Sequence, residues 1–186
     1  MSDTGPLKDP ALDEVDDADA VVTAPELPAD AVVGAVAVVG ADADAAVEPE
    51  VIKFNVMNLE SVLFDLADTS PLVHLIEADA PYRYLAIPIA LTEAVALHNA
   101  LDDIDGRRPG THEVVAEVLR RLRADVVAVR ITKYEHGVFY AELDLMTPKG
   151  HEVFDCRTSD ALILAMRQKV RAPVLCAEAV LLAFYA

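Results

Sequence analysis

Residues 154–168 read FDCRTSDALILAMRQ and pass from a strand to a helix within a few positions. Asp155 and Cys156 close the strand, Arg157 sits in a short hinge, and the helix opens at Ser159. The Ser159 hydroxyl is expected to cap that helix by accepting a first-turn N–H. Asp160 falls in the first turn, where negative charge suits the helix dipole. Behind it Leu162, Ile163 and Met166 recur at helical spacing and should face a core. The segment therefore sets two carboxylates, a guanidinium and a hydroxyl at one helix N-terminus, an arrangement suited to an anion. A plain helix cap has the same residue pattern.

The segment immediately upstream is rich in strand signals. VVAVRITKY (126–134) and VFYAELDLM (138–146) form a hairpin about Glu135–Gly137, and TPKG (147–150) turns into the strand HEVFDC. On this strand Arg130, Thr132 and Tyr134 alternate and, with Tyr140, would share one thin nucleic-acid surface. Earlier, THEVVAEVLRRLR reads as a helix opening at Thr111, with Val115, Val118, Leu119 and Leu122 facing inward. LTEAVALHNALDDI (91–104) reads as another, capped by Thr92 and anchored by Leu97, Leu101 and Ile104. IKFNVMNLESVLFDL (52–66) supplies one or two strands with Phe54 and Val56 on one face, and 70–78 with 82–90 a hairpin around Asp79–Pro81. A short strand over 172–177 and a helix over the final residues complete the order. Strands dominate, helices intervene and most neighbouring strands are antiparallel, which predicts one compact α+β domain with a mixed, mainly antiparallel sheet.

The domain is expected to span residues 51–186. Residues 1–50 are different in texture: Ala, Val, Asp and Pro without an aromatic residue, and thirteen acids against the single Lys8. That composition predicts a disordered acidic tail, with a transient helix near 31–47. The full chain carries a formal charge of -17, but the tail accounts for -12 of it and leaves the domain at only -5. Phosphate contacts need Lys and Arg, so the domain retains room for a basic patch that the total conceals. Two cysteines, Cys156 and Cys176, predict a reduced compartment without a disulfide framework. The apolar run 31–41 is too short to span a bilayer, and no secretory leader is visible; a cytoplasmic protein with no membrane partner is the expectation.

A second anion-binding pattern lies at 107–113, RRPGTHE. Arg108 precedes Thr111 as Arg157 precedes Ser159, so each helix start pairs N–H donors with a guanidinium that binds phosphate bidentately. His112 beside Glu113 adds a proton-transfer group and a carboxylate, and is the one histidine with such company. Zinc, P-loop and dinucleotide signatures are absent from the sequence. A hard cation such as Mg²⁺ or Mn²⁺ needs only one or two carboxylates with substrate oxygens. Asp155 and Asp160 are its candidate ligands, with Glu93 and Glu113 in reserve.

LAIPIALTEAVAL (85–97), RRPGTHEV (107–114), ITKYEHGVFYAEL (131–143) and DCRTSDALILAMR (155–167) fall in an order that resembles the bifunctional nuclease family. The paired R-P-x-T-H and D-x-R-x-S-D-A elements are the specific part. The resemblance implies a self-associating α+β domain acting on DNA and RNA. It points to Glu93, Arg108, Thr111, His112, Asp155, Arg157, Ser159 and Asp160; of these, the chemistry of the side chains makes His112, Asp155, Asp160 and Glu93 the expected catalytic residues and Arg108, Thr111, Arg157 and Ser159 the expected phosphate ligands. Ala90 departs from the family's usual glycine before the helix, which would narrow the pocket near Glu93. The expectation is thus a nuclease hydrolysing DNA and RNA phosphodiesters with low sequence specificity. The competing expectation is a non-catalytic regulatory or nucleotide-binding oligomeric module using the same anion sites.

Overall fold

The computed structural model describes residues 52–64 and 70–186. The expected tail, its boundary near Pro49–Val51 and the transient helix lie outside those residues. Seven strands and four helices follow in sequence: β1 (Phe54–Leu63), β2 (Leu72–Glu77), β3 (Tyr84–Pro88), α1 (Leu91–Leu101), α2 (Thr111–Arg121), β4 (Asp125–Glu135), β5 (Val138–Thr147), β6 (Gly150–Arg157), α3 (Thr158–Met166), β7 (Val174–Ala177) and α4 (Glu178–Phe184). The strands make one sheet in the order β3-β2-β1-β7-β4-β5-β6. All its pairings are antiparallel except β4 with β7, so the expected α+β class is the one observed.

The organising helix is the centre of the core. Every residue of α3 except Asp160 is buried, and Leu162 and Ile163 are wholly enclosed. Each such side chain contributes on the order of 2 kcal/mol by leaving water. One side of α3 lies on β4, β5 and β6, where period-2 alternation turns Ala141, Leu143 and Leu145 inward. Its other side carries α1, which buries Ala94, Leu97 and Ala100, and more lightly α2.

Several local expectations shift. No two-residue hinge separates strand from helix: β6 runs through Arg157 and α3 begins at Thr158. Ser159 is buried inside the helix and caps nothing; instead the Thr158 hydroxyl donates to the Phe139 carbonyl at 3.2 Å, tying the helix start to β5. The helix α1 stops at Leu101, Asp103 takes a left-handed φ of 52°, and Ile104 is left half exposed outside the core. Of the inward face predicted for α2, Leu119 packs half-buried against the core, whereas Val115, Val118 and Leu122 stay exposed and no residue of the helix is fully buried. The predicted Tyr134–Tyr140 surface fails as well. A bulge between Ile131 and Lys133 changes the parity of β4, so Tyr134 pairs with Phe139. It stacks there with Phe139 and Phe184, while Tyr140 projects from the opposite face beside Lys133.

Candidate functional site

Three helix starts converge. The first turns of α1, α2 and α3, with the loop Gly106–Gly110, enclose an open cleft of about 680 Å³. Glu93 enters from α1, Thr111 and His112 from α2, Arg157 and Asp160 from the β6–α3 junction, and Arg108 from the loop. The loop turns back tightly at Gly106, where a Cβ would sit 3.0 Å from the Arg108 carbonyl, so a side chain there would push against backbone.

The cleft holds a continuous polar chain. His112 Nε2 lies 2.9 Å from Asp160 Oδ1. Arg157 donates from Nε to Asp160 Oδ2 at 2.8 Å, from Nη2 to Asp160 Oδ1 at 3.0 Å, and from Nη1 to Glu93 Oε1 at 3.0 Å. Thr92 donates its hydroxyl to Glu93 Oε2 at 2.7 Å. Partial burial pushes the Asp160 carboxyl upward, yet the Arg157 and His112 hydrogen bonds outweigh it and hold the group below its ordinary range. The Thr92 hydroxyl, a backbone N–H and the charge of Arg157 lower Glu93 in the same direction. In turn Asp160 and Glu93 raise Arg157. Against this neutralised set, Arg108 is exposed and pairs with no carboxylate among the described residues.

Six of the eight sequence candidates thus meet in one cleft, and two do not. Ser159 turns into the core beneath it. Asp155 lies on β6 outside the cleft, exposed and opposite Glu142 of β5. The two-carboxylate cation site expected of Asp155 and Asp160 is therefore not assembled. Both Asp160 oxygens already face donors, and the described residues include no group of three His, Cys, Asp or Glu placed to hold an ion.

Neither Thr111 nor Thr92 makes the expected cap. The backbone of Gly110 and Ala90 occupies those N-cap positions, and Thr92 orients Glu93 instead. Gly110 offers no side chain, so half of a capping box operates: Glu113 Oε2 accepts the Gly110 N–H at 2.6 Å. Ala90 has an ordinary extended φ of -74° and is exposed, so its methyl group fits without strain. The residue that sequence reasoning missed is Arg167. At the end of α3 and largely buried, it donates to Glu113 at 2.9 Å, Asp105 at 3.0 Å and the Ile104 carbonyl at 3.0 Å. It fixes both ends of the loop that carries Arg108. An arginine closing an apolar helix reads in sequence as a partner of the helix dipole, which hides this role.

The fold and the cleft define a class: a single-sheet α+β domain with a histidine–carboxylate pair and arginines where helix starts converge. Within that class, residues 73–184 match the bifunctional nuclease domain, which is more than half of the chain. The chain belongs to the bifunctional nuclease domain family. It is 34% identical over 111 residues to an uncharacterized protein of Mycobacterium tuberculosis, covering 60% of this chain and 64% of that one. It is 33% identical over 91 residues to Bifunctional nuclease 1 of Arabidopsis thaliana, covering 46% of this chain and 28% of the plant protein. Bifunctional nuclease 2 of Oryza sativa is 35% identical over 89 residues, 45% of this chain and 27% of its own length. The chain thus spans under two thirds of the mycobacterial relative and under a third of the plant ones.

Proposed function

We propose that the cleft hydrolyses phosphodiester bonds in DNA and RNA with low sequence specificity. The observation that carries this reading is the His112–Asp160 pair at 2.9 Å with Arg108 unneutralised on the same rim. Arg108 and the N–H groups at the start of α2 hold the phosphate, the arginine supplying two parallel donors. Water is the nucleophile, because DNA offers no 2′-hydroxyl to attack. As water adds to phosphorus and the P–O ester bond breaks, His112 gives its proton to the leaving oxygen, the water's proton is released to solvent, and Asp160 fixes the ring. Arg157 donates from all three of its nitrogens to Glu93 and Asp160, so it positions those carboxylates and leaves phosphate binding to Arg108.

The test is cleavage of labelled single-stranded DNA and RNA by the purified full chain, with Mg²⁺, Mn²⁺ or EDTA, beside folded His112→Ala and Asp160→Ala variants. Cutting by the native chain that both variants lose supports the reading. Equal cutting by all three overturns it. A second reading, a non-catalytic module that binds nucleotides or other anions, is favoured by the self-neutralised Arg157. Nucleotide binding that requires Arg108, without any cutting, would select it.

A further inference from the structure

Beyond its polar chain the cleft changes character. Val95, Ala96 and Asn99 from the later turns of α1, and Val115 from α2, line it above Ile163 and Leu164 of α3. Val95 and Val115 are 46% and 38% exposed, so two apolar side chains stand open to the cleft. The Asn99 backbone carbonyl accepts the Ile104 N–H at 2.8 Å, but its side-chain amide has no partner among the described residues. Charge along the lining is cancelled: Glu93 and Asp160 pair with Arg157, and Glu113 pairs with Arg167. Arg108 on the rim is the one arginine of the lining without a carboxylate among the described residues. A phosphate at Arg108 fills only a small part of a cleft of about 680 Å³. A neutral, apolar-walled recess beside one unpaired cation matches a flat uncharged ring joined to a phosphate.

We infer that this recess takes one unstacked base of a single strand, with the adjoining phosphate on Arg108 and the base edge on the Asn99 amide. The inference rests on the reading that the cleft takes a phosphodiester, and adds the strand state it accepts. Val95 and Val115 give the faces of the base apolar contact, which leaving water favours. Asn99 carries donors and an acceptor on one rotatable amide, so it meets the edge of any base and adds no strong sequence preference. No Phe or Tyr lines the cleft, so it offers no platform for a run of stacked bases, and selection falls on one nucleotide. A base in a duplex is paired and stacked, and must be turned out of the helix before it enters such a recess. Single strands present it already free. The uncovered Val115 of α2 thereby gains a ligand that covers it.

Fluorescence anisotropy of the full chain on short labelled single strands tests the inference, with phosphorothioate linkages that resist hydrolysis so that binding is read apart from turnover. An abasic strand of equal length should bind about tenfold more weakly than the intact one. Asn99→Ala removes no side-chain hydrogen bond among the described residues and suits a helix, so it should keep the native circular dichroism. It should weaken the intact strand about fivefold, the worth of one hydrogen bond, and leave the abasic strand and a blunt duplex unchanged. Val115→Ser, at an exposed position, should act in the same direction. Arg108→Ala should weaken intact and abasic strands alike, because it meets the phosphate. Equal affinity for intact and abasic strands overturns the inference and leaves hydrolysis in the cleft standing. So does native affinity for the intact strand in both Asn99→Ala and Val115→Ser. A chain that cuts nothing, yet keeps binding that depends on both the base and Arg108, removes the hydrolase reading and upholds the recess.

Discussion

His112 and Asp160 come from different helices and lie 48 positions apart, yet sequence reasoning had marked both as groups beside a helix start. What made them legible is chemistry at helix N-termini, where unpaired N–H groups concentrate charged partners. What stayed hidden was which oxygen caps what. A hydroxyl near a helix start accepts from several donors, and at α3 the tertiary bond from Thr158 to Phe139 decided the outcome. Under the proposed chemistry, His112→Ala lowers the cleavage rate by roughly 10²–10⁴-fold, the range of a positioned proton donor, in single-turnover assays. Arg108→Ala should weaken nucleic-acid binding evenly across sequences and reduce the slope of log affinity on log salt by about one, as one lost phosphate contact requires. The same titrations, repeated with Arg167→Met, show whether the loop holding Arg108 depends on its anchor: weaker binding at an unchanged salt slope is expected.

Element by element, the apolar period was a good guide where tertiary burial agreed with it and a poor one where it did not. LILAM repeats an apolar residue at nearly every position because α3 is sandwiched, and all of it is buried. The stripe on α2 is as regular, but only Ala116 and Leu119 pack partly buried against the core and no residue of the helix is fully buried. Periodicity reports that a face exists, not that something covers it. Urea denaturation should separate the two helices. Leu162→Ala costs about 3 kcal/mol through lost burial and a cavity. Val118→Ala costs below about 1 kcal/mol, because its side chain is already half in water.

At the scale of the whole molecule, one ionic cluster ties the neighbouring strands β2 and β1 to the β7–α4 junction, which are far apart in sequence. Arg83 bonds Glu77 of β2 and Glu178 of α4, and Asn55 of β1 also donates to Glu178 at 2.6 Å. Bonds from Arg83, then Asn55, hold the Glu178 carboxyl down at about 2. A carboxyl depressed on folding stabilises the native state above its unfolded value and loses that contribution as pH falls through the folded one. Thermal melts between pH 5 and about 2 should therefore decline in the native chain, and less steeply in Glu178→Gln. Charge at this scale has a second consequence: deleting residues 1–50 removes -12 of the formal -17, and nucleic-acid affinity at low salt should rise. The strand order carries a consequence of another kind. Among the described strands β7 comes last in the chain, yet it lies between β1 and β4 and is the one strand through which the sheet joins its two three-stranded halves. During vectorial synthesis both meanders emerge from the ribosome before the piece that welds them exists. Nascent chains arrested before Val174 should therefore remain protease-sensitive, however long their tether, and become resistant only when the last strand clears the exit tunnel.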